Sequence, residues 1–380
     1  MSFISPQYDS IPTGGRKFFY FHWPLLLLIT AAAGIGIMML FSVSGGEFAR
    51  WAEPQLTRFA MGFALMFIIA FIPIAFWRNF SIVAYILALL LLLYVEFAGV
   101  QGKGAQRWID LGFMRLQPSE FMKIALVMIL ALYYSWLDPK RVSHPVWMLP
   151  PIILILIPVG LVVQQPDLGT ALLLGAGGAA VMLLAGVSLW YFGVGIAGVV
   201  GAVSFVMQSR GTPYQVLKDY QYRRIETFID PSSDPLGAGY HITQSKIALG
   251  SGGYSGRGFM EGSQSRLNFL PEKHTDFIFT TFAEEFGFLG SISLLAIYVL
   301  ILACVFLSAI TNRNRYGALL TMGIGVAFFF YFSVNMLMVM GLAPVVGVPL
   351  PLVSFGGSAM LVLMGAFGLV QSAHIHKERQ

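Results

Sequence analysis

A chain of 380 residues that is 57% hydrophobic and 11% charged lies far from the roughly 25% charged residues of a soluble domain. This composition excludes a soluble globular enzyme and places the chain among polytopic membrane proteins. The formal net charge is +5, and no nucleic-acid partner is expected.

Apolar runs long enough to cross a hydrocarbon core of ~30 Å, about 20 residues each as helix, predict ten transmembrane helices. They lie near residues 24–43, 58–77, 80–98, 119–137, 147–164, 168–187, 189–207, 277–307, 316–341 and 352–373. The first run resembles a secretory signal, since Arg16 and Lys17 precede it and Ala31, Ala32 and Ala33 resemble a cleavage site. It continues to Phe41, longer than a signal core, and reads as an uncleaved span. Cys304, the only cysteine, lies inside a span, so neither an internal disulfide nor a cysteine-based metal site is available.

Positive charge orients the bundle. One set of connections holds Arg16, Lys17, Arg78, Lys140, Arg141, Arg313, Arg315, Lys377 and Arg379, whereas the short loops opposite hold only Arg50, Lys103, Arg107 and Arg115. The positive-inside rule then puts both termini in the cytoplasm. It makes residues 208–275, a segment too long to count in that rule, a large extracytoplasmic loop between spans seven and eight.

Depth can then be assigned to the polar residues. Span four begins outside, after Gln117, Pro118 and Ser119, and carries Glu120 and Lys123 at i, i+3 on one helical face. The pair reads either as a buried ion pair fixing helix packing or as part of a working site. Asp167, after Pro166, reads first as a helix-start residue of span six, and the Ser354 to Ser358 turn opens span ten from the same side. Asp276 stands where the long loop enters span eight. A carboxylate at the boundary of water and hydrocarbon is costly unless paired or used, which makes it a functional-site candidate; the alternative is an Asp that caps a helix. Four helix starts thus meet at one level, and their free N–H groups favour an anionic ligand such as a phosphate.

Glu284 and Glu285 lie deeper, and at most one can share the face of Asp276. His274 is two residues from Asp276, a spacing at which side chains on a helical turn diverge, so it reads as a structural or substrate-contact residue rather than a base. His241 reads as solvated or locally hydrogen-bonded. The long loop carries an amphipathic piece from Tyr240 to Leu249 between turn-rich stretches and is expected to fold over the site. Its Arg223, Arg224, Arg257, Arg266 and Lys273 can hold phosphate through charge-assisted bonds, or can be solvated surface cations. With Arg107, His274, Ser354 and Ser358 they form the set of candidate substrate- or pyrophosphate-binding residues. No metal-ligand cluster of recognisable spacing is present.

Several runs resemble the SEDS family (shape, elongation, division and sporulation). They are GAQRWIDLG from Gly104 to Gly112, Gln117-Pro118-Ser119-Glu120 with Lys123, QPDLGT from Gln165 to Thr170, DPLGAGYH from Asp234 to His241 and Gln244-Ser245-Lys246. NFLPEKHTDF from Asn268 to Phe277, GLAPVVGVPLP from Gly341 to Pro351 and SFGGS from Ser354 to Ser358 complete the set. The resemblance spans about residues 20–372, is nearer to the elongation members than to the division members, and makes residues 1–380 one membrane domain.

The resemblance implies a peptidoglycan glycosyltransferase of the bacterial cytoplasmic membrane that polymerises lipid II onto a lipid-linked glycan strand outside the cell. Its implied partners are a class B penicillin-binding protein and elongation-complex membrane proteins. It carries the family's essential acidic residue onto Asp276 and the family's paired charges onto Glu120 and Lys123.

Chemistry fits this role. Glycosyl transfer needs a base for the proton of the acceptor 4-hydroxyl, which a carboxylate supplies, and stabilisation of the departing pyrophosphate. Basic loop residues, helix N-termini or a divalent cation such as Mg²⁺ or Mn²⁺ can supply the second. Lys123 is placed to keep Asp276 ionised or to orient it. Two other classes stay open: a flippase for the same lipid, which needs polar groups through the full depth of the membrane, and a non-catalytic scaffold, which tolerates loss of Asp276.

Overall fold

The computed structural model describes residues 14–102, 105–110, 112, 115–212, 215, 222, 238–262 and 272–377. After a 3₁₀ helix, Gly14–Tyr20, the helices in chain order begin with α1 (Trp23–Val43), α2 (Ala52–Phe71), α3 (Ile74–Ala98), α4 (Pro118–Trp136) and α5 (Pro145–Gln164). They continue with α6 (Leu168–Leu184), α7 (Leu189–Gln208), α8 (Ala238–Ser251), α9 (Ile278–Ile310), α10 (Arg315–Val339) and α11 (Ser358–Ile375). Among the described residues nine helices are long and apolar enough to cross a membrane, and α6, with 17 residues, is a shorter apolar helix. Each of the ten apolar runs of the sequence thus corresponds to a helix, and α8 is the amphipathic piece of the long loop.

Local chemistry sets the ends. His22 caps α1 by accepting the Leu25 amide at 3.3 Å, Asp167 caps α6 through Thr170 N at 3.2 Å, and Asn314 caps α10 through the amides of Tyr316 and Gly317. Such side chains replace the missing intrahelical acceptors of a first turn.

Two expected boundaries are corrected. The turn between the second and third spans lies at Ile72 and Pro73 rather than at Arg78 and Asn79, because proline lacks an N–H and forces extended backbone on the residue before it. Ile72 accordingly has ψ 132°, and Arg78 belongs to the start of α3. The last span begins at Ser358 rather than at 352, since side-chain hydrogen bonds hold residues 350–357 in turns. A three-stranded antiparallel sheet between α3 and α4 was not expected: β1 (Val100–Gly102), β2 (Ala105–Asp110) and β3 (Arg115–Leu116), in that order, with Gln101 opposite Gln106 and Asp110 opposite Arg115.

In the packing, α4 touches α3, α6 and α10, while α10 touches α4, α6, α9 and α11. The first and last thirds of the chain are joined by α2 against α11, where a Cβ on Gly62 would stand 2.8 Å from Met364 Cγ. By contrast no residue of α7 is buried.

The helix α9 is broken at Gly287, whose φ of 65° and ψ of −159° lie outside the helical region. In hydrocarbon every freed backbone group needs a partner, and residues 252–258 of the long connection supply them. The amides of Arg257 and Gly258 donate to the carbonyls of Glu284 and Glu285, both at 3.0 Å, while the amides of Phe288 and Leu289 donate to the carbonyls of Gly253 and Tyr254 at 2.9 and 3.1 Å. Helix α8 packs on α9, with the buried Ser245 hydroxyl donating to Val339 O at 2.6 Å and lying 3.1 Å from Thr280 Oγ1.

A Cβ at position 287 would lie 2.2 Å from Gly256 N in a backbone region that an L side chain rarely occupies. Gly287→Ala should therefore destabilise the protein by about 2–4 kcal/mol through strain and loss of the seated loop. Thermal unfolding of the purified protein in detergent reads this; unchanged melting would mean that the loop is not seated in the break.

Candidate active site

The turn at residues 272–277 carries Asp276 into α9. It is closed by Thr275 N and Phe277 N donating to Glu272 O at 3.1 and 3.3 Å, and by the Thr275 hydroxyl donating to Glu272 Oε2 at 2.9 Å. The 350–357 segment grips it from one side. Ser354 Oγ accepts from Leu350 N at 2.8 Å and donates to Thr275 O at 2.6 Å, and Phe355 N donates to His274 O at 2.9 Å.

Buried Gln55 of α2 grips that segment in turn, donating to Ser354 O at 3.0 Å and accepting from Gly356 N at 3.3 Å. From α10, the amide of Asn335 donates to both Asp276 O, at 2.8 Å, and Val348 O, at 2.7 Å. The main chain of Asp276 is thereby fixed from α2, α10 and the 350–357 turn, while its side chain is half-buried with Oδ2 facing Gly347.

Glu120 and Lys123 are buried on α4 and joined at 2.7 Å. Tyr331 of α10 completes the cluster: its hydroxyl lies 3.3 Å from Glu120 Oε1, and Lys123 Nζ sits 3.8 Å from the centre of its ring. The pair lines one end of a mostly apolar cavity between α4, α10 and α11, whose wall includes Phe328, Leu350, Ser354 and Gly356. The cavity and Asp276 therefore share the 350–357 turn.

The remaining candidates separate into groups. Arg107, on β2, donates to Gln165 O and Pro166 O at 3.1 and 2.5 Å and pairs with Asp167 Oδ2 at 3.4 Å, so it clasps the start of α6. Arg257 belongs to the break in α9, where its Nε lies 3.3 Å from Ser251 O and 3.9 Å from Glu284 Oε1. Ser354 and Ser358 are engaged in the framework, Ser358 Oγ accepting Gln117 N at 3.0 Å.

His274 stacks on Trp51 with ring centres 4.3 Å apart, and burial, followed by the charge of Arg50, pushes the Lys273 amine below its ordinary pKa. Arg223, Arg224 and Arg266 lie outside the described residues, and so does the side chain of His241. Among the described residues no three His, Cys, Asp or Glu side chains stand together as metal ligands.

Sequence reading missed Asn335, Tyr331 and Gln55. The first two had a signal: a polar amide and a phenol at i, i+4 in an apolar run share one helical face, and a polar group at such depth is functional or hydrogen-bonded.

The sequence model for the cell cycle proteins FtsW, RodA and SpoVE matches residues 23–379. The chain belongs to this family. Among its relatives, the peptidoglycan glycosyltransferase MrdB of Escherichia coli is 41% identical over 356 residues, which are 93% of each chain. MrdB of Helicobacter pylori is 35% identical over 365 residues, 94% of this chain and 91% of its own.

The family's architecture recurs in solved structures. A chain of a peptidoglycan synthase complex, described in terms of coordinated polymerization and crosslinking, superposes with a TM-score of 0.80 at 29% identity, covering 93% of this chain and 97% of its own. The rod shape determining protein RodA of Thermus thermophilus superposes with a TM-score of 0.69 at 25% identity, covering 95% and 98%.

Removing one member of a buried ion pair leaves an uncompensated charge. Lys123→Ala should lower stability by about 3–5 kcal/mol, and the double variant Glu120→Gln with Lys123→Met should recover most of it in a thermal melt. A single variant as stable as wild type would show that the pair does not hold α4 in place.

Proposed function

We propose that this chain is a peptidoglycan glycosyltransferase that polymerises lipid II into glycan strands during cell elongation. The observation that carries the reading is the half-buried Asp276 carboxylate, whose main chain is pinned by Asn335 and by the turn that also walls the Glu120–Lys123 cavity. Two relatives that each align over more than nine-tenths of this chain bear the name of that activity.

In the proposed reaction Asp276 takes the proton of the acceptor 4-hydroxyl as its oxygen bonds to C1 of the donor sugar. The bond from C1 to the pyrophosphate breaks, and the electron pair leaves with the pyrophosphate. Positioning of this kind asks little movement of the base, and general base catalysis contributes roughly 10²- to 10⁴-fold. A divalent cation such as Mg²⁺ or Mn²⁺, if bound with the substrate, would supply further neutralisation of charge on the leaving group.

The membrane arrangement belongs to the same proposal. Ten spans, with α6 crossing beside the nine longer helices, put both termini in the cytoplasm and the Asp276 turn at the outer leaflet, where lipid-borne sugars are exposed for assembly. A class B penicillin-binding protein would crosslink the product alongside, as polymerization and crosslinking are paired in the similar synthase complex.

Purified protein, with its transpeptidase partner, should polymerise lipid II, and Asp276→Asn should lower that rate at least ~100-fold without loss of folded protein; near wild-type polymerisation by the variant would remove Asp276 from the base role. In a Cys304→Ser background, Lys273→Cys should react with an impermeant thiol reagent from outside only and Arg313→Cys from inside only. Labelling at position 273 from both sides, with lipid II translocation in liposomes, would instead make the protein a carrier.

A further inference from the structure

The segment before and within the first turns of α2 holds Arg50, Trp51, Gln55 and Arg58. Gln55 and Arg58, at i, i+3, share a helical face, so the face that grips the 354–356 turn through Gln55 also brings Arg58 to Phe355. The Arg58 guanidinium carbon lies 4.5 Å from the Phe355 ring centre. Its Nη1 is buried, and among the described residues no hydrogen-bond acceptor meets it. A buried N–H without a partner costs about 1–3 kcal/mol, and a guanidinium presents its donors in the fork that matches phosphate oxygens.

The surroundings extend this orphaned donor into a site. Phe355 meets Trp51 edge-on with ring centres 4.8 Å apart, and Trp51 stacks on His274 at 4.3 Å. Arg50 stands 5.8 Å from the centre of the Trp51 ring, and Lys273 directly precedes in the chain the His274 that stacks on that ring. Glu47 and Glu53 nearby in sequence are exposed, and among the described residues neither forms an ion pair with Arg50 or Arg58. Glu272 directs a carboxylate oxygen to Thr275.

Arg58 follows the start of α2 by six residues, a depth of about 9 Å. Helical side chains lean toward the N-terminus and a long cation returns to the interface. The guanidinium is therefore reached most directly by a group carried on a membrane lipid. His274, at the far side of the rings, is two residues from Asp276.

We propose that Arg58, with Arg50 and Lys273 beyond the Trp51–His274 stack, forms the subsite for the phosphoryl groups of a lipid-linked sugar beside Asp276. This rests on the glycosyl-transfer reading for the sugar, but the recognition of a lipid phosphate by Arg58 can be tested without turnover. In the reaction the subsite would receive the negative charge that develops as the bond from C1 to the pyrophosphate breaks.

The test measures equilibrium binding of polyprenyl pyrophosphate and of the uncharged polyprenol to the full chain in phosphatidylcholine nanodiscs. Wild type should prefer the pyrophosphate at least tenfold. Arg58→Ala should lose most of that preference with unchanged polyprenol binding, and Arg58→Lys, which keeps charge and stem and guards against misfolding of the alanine variant, should retain part of it. Equal preference in wild type and Arg58→Ala would overturn the proposal.

A second arm adds phosphatidylglycerol to the nanodiscs. If it displaces the pyrophosphate from wild type but not from Arg58→Ala, the occupant is a bulk anionic headgroup and the substrate assignment falls. Failure of wild type to polymerise lipid II, with the binding preference intact, would sink the glycosyltransferase reading alone.

Discussion

A hydrocarbon surrounding tolerates no unmet backbone polar group, and much of this molecule's architecture around Asp276 answers that constraint at one place, the break in α9. A straight α9 would need nothing from the connection before it. The break at Gly287 releases carbonyls and amides that residues 252–258 meet, so the connection is drawn into the helix bundle as part of its structure. The part of α9 before the break then becomes a short rod held at both ends, by the loop at Gly287 and by the Asn335 and Ser354 hydrogen bonds at Asp276 and Thr275. Glu285 adds a tie to α1, since the Ser42 hydroxyl donates to it.

Two of the ion pairs near the site join different elements. Arg107 and Asp167 join the small sheet to the start of α6, and Glu120 with Lys123 joins α4 to Tyr331 of α10. Lys123 is hydrogen-bonded to Glu120 at 2.7 Å. The cavity that Lys123 lines shares residues of the 350–357 segment with the contacts that hold the Asp276 turn.

What could be read from the sequence follows the range of the forces involved. The ten apolar runs were legible because span length is fixed by membrane thickness and needs no partner to be recognised. Asp276, Glu120 and Lys123 were legible because charge near hydrocarbon is rare. The turn at Pro73 was misplaced, since the polar Arg78 and Asn79 drew attention from the proline that ends the helix.

Less legible were contacts between distant segments. Nothing local announces that Gln55 will meet Ser354, that Arg107 will clasp Gln165 and Pro166, or that Gly287 is the glycine at which α9 breaks. The strands around Arg107 are short and gain their register from pairing, which a single sequence shows poorly.

The joining of α2 to α11 bears on how the molecule is made. The chain inserts from its N-terminus, and Gln55 enters the membrane early, while Ser354, its acceptor, is 299 positions later. Ser354 and Phe355, just before the last helix, supply the contacts that hold Thr275 and His274. A nascent chain whose synthesis has stopped before residue 350 would therefore hold its early helices in the bilayer with the Asp276 turn lacking its Ser354 and Phe355 contacts. The hold of the 350–357 segment on His274 and Thr275 is thus completed only late in synthesis.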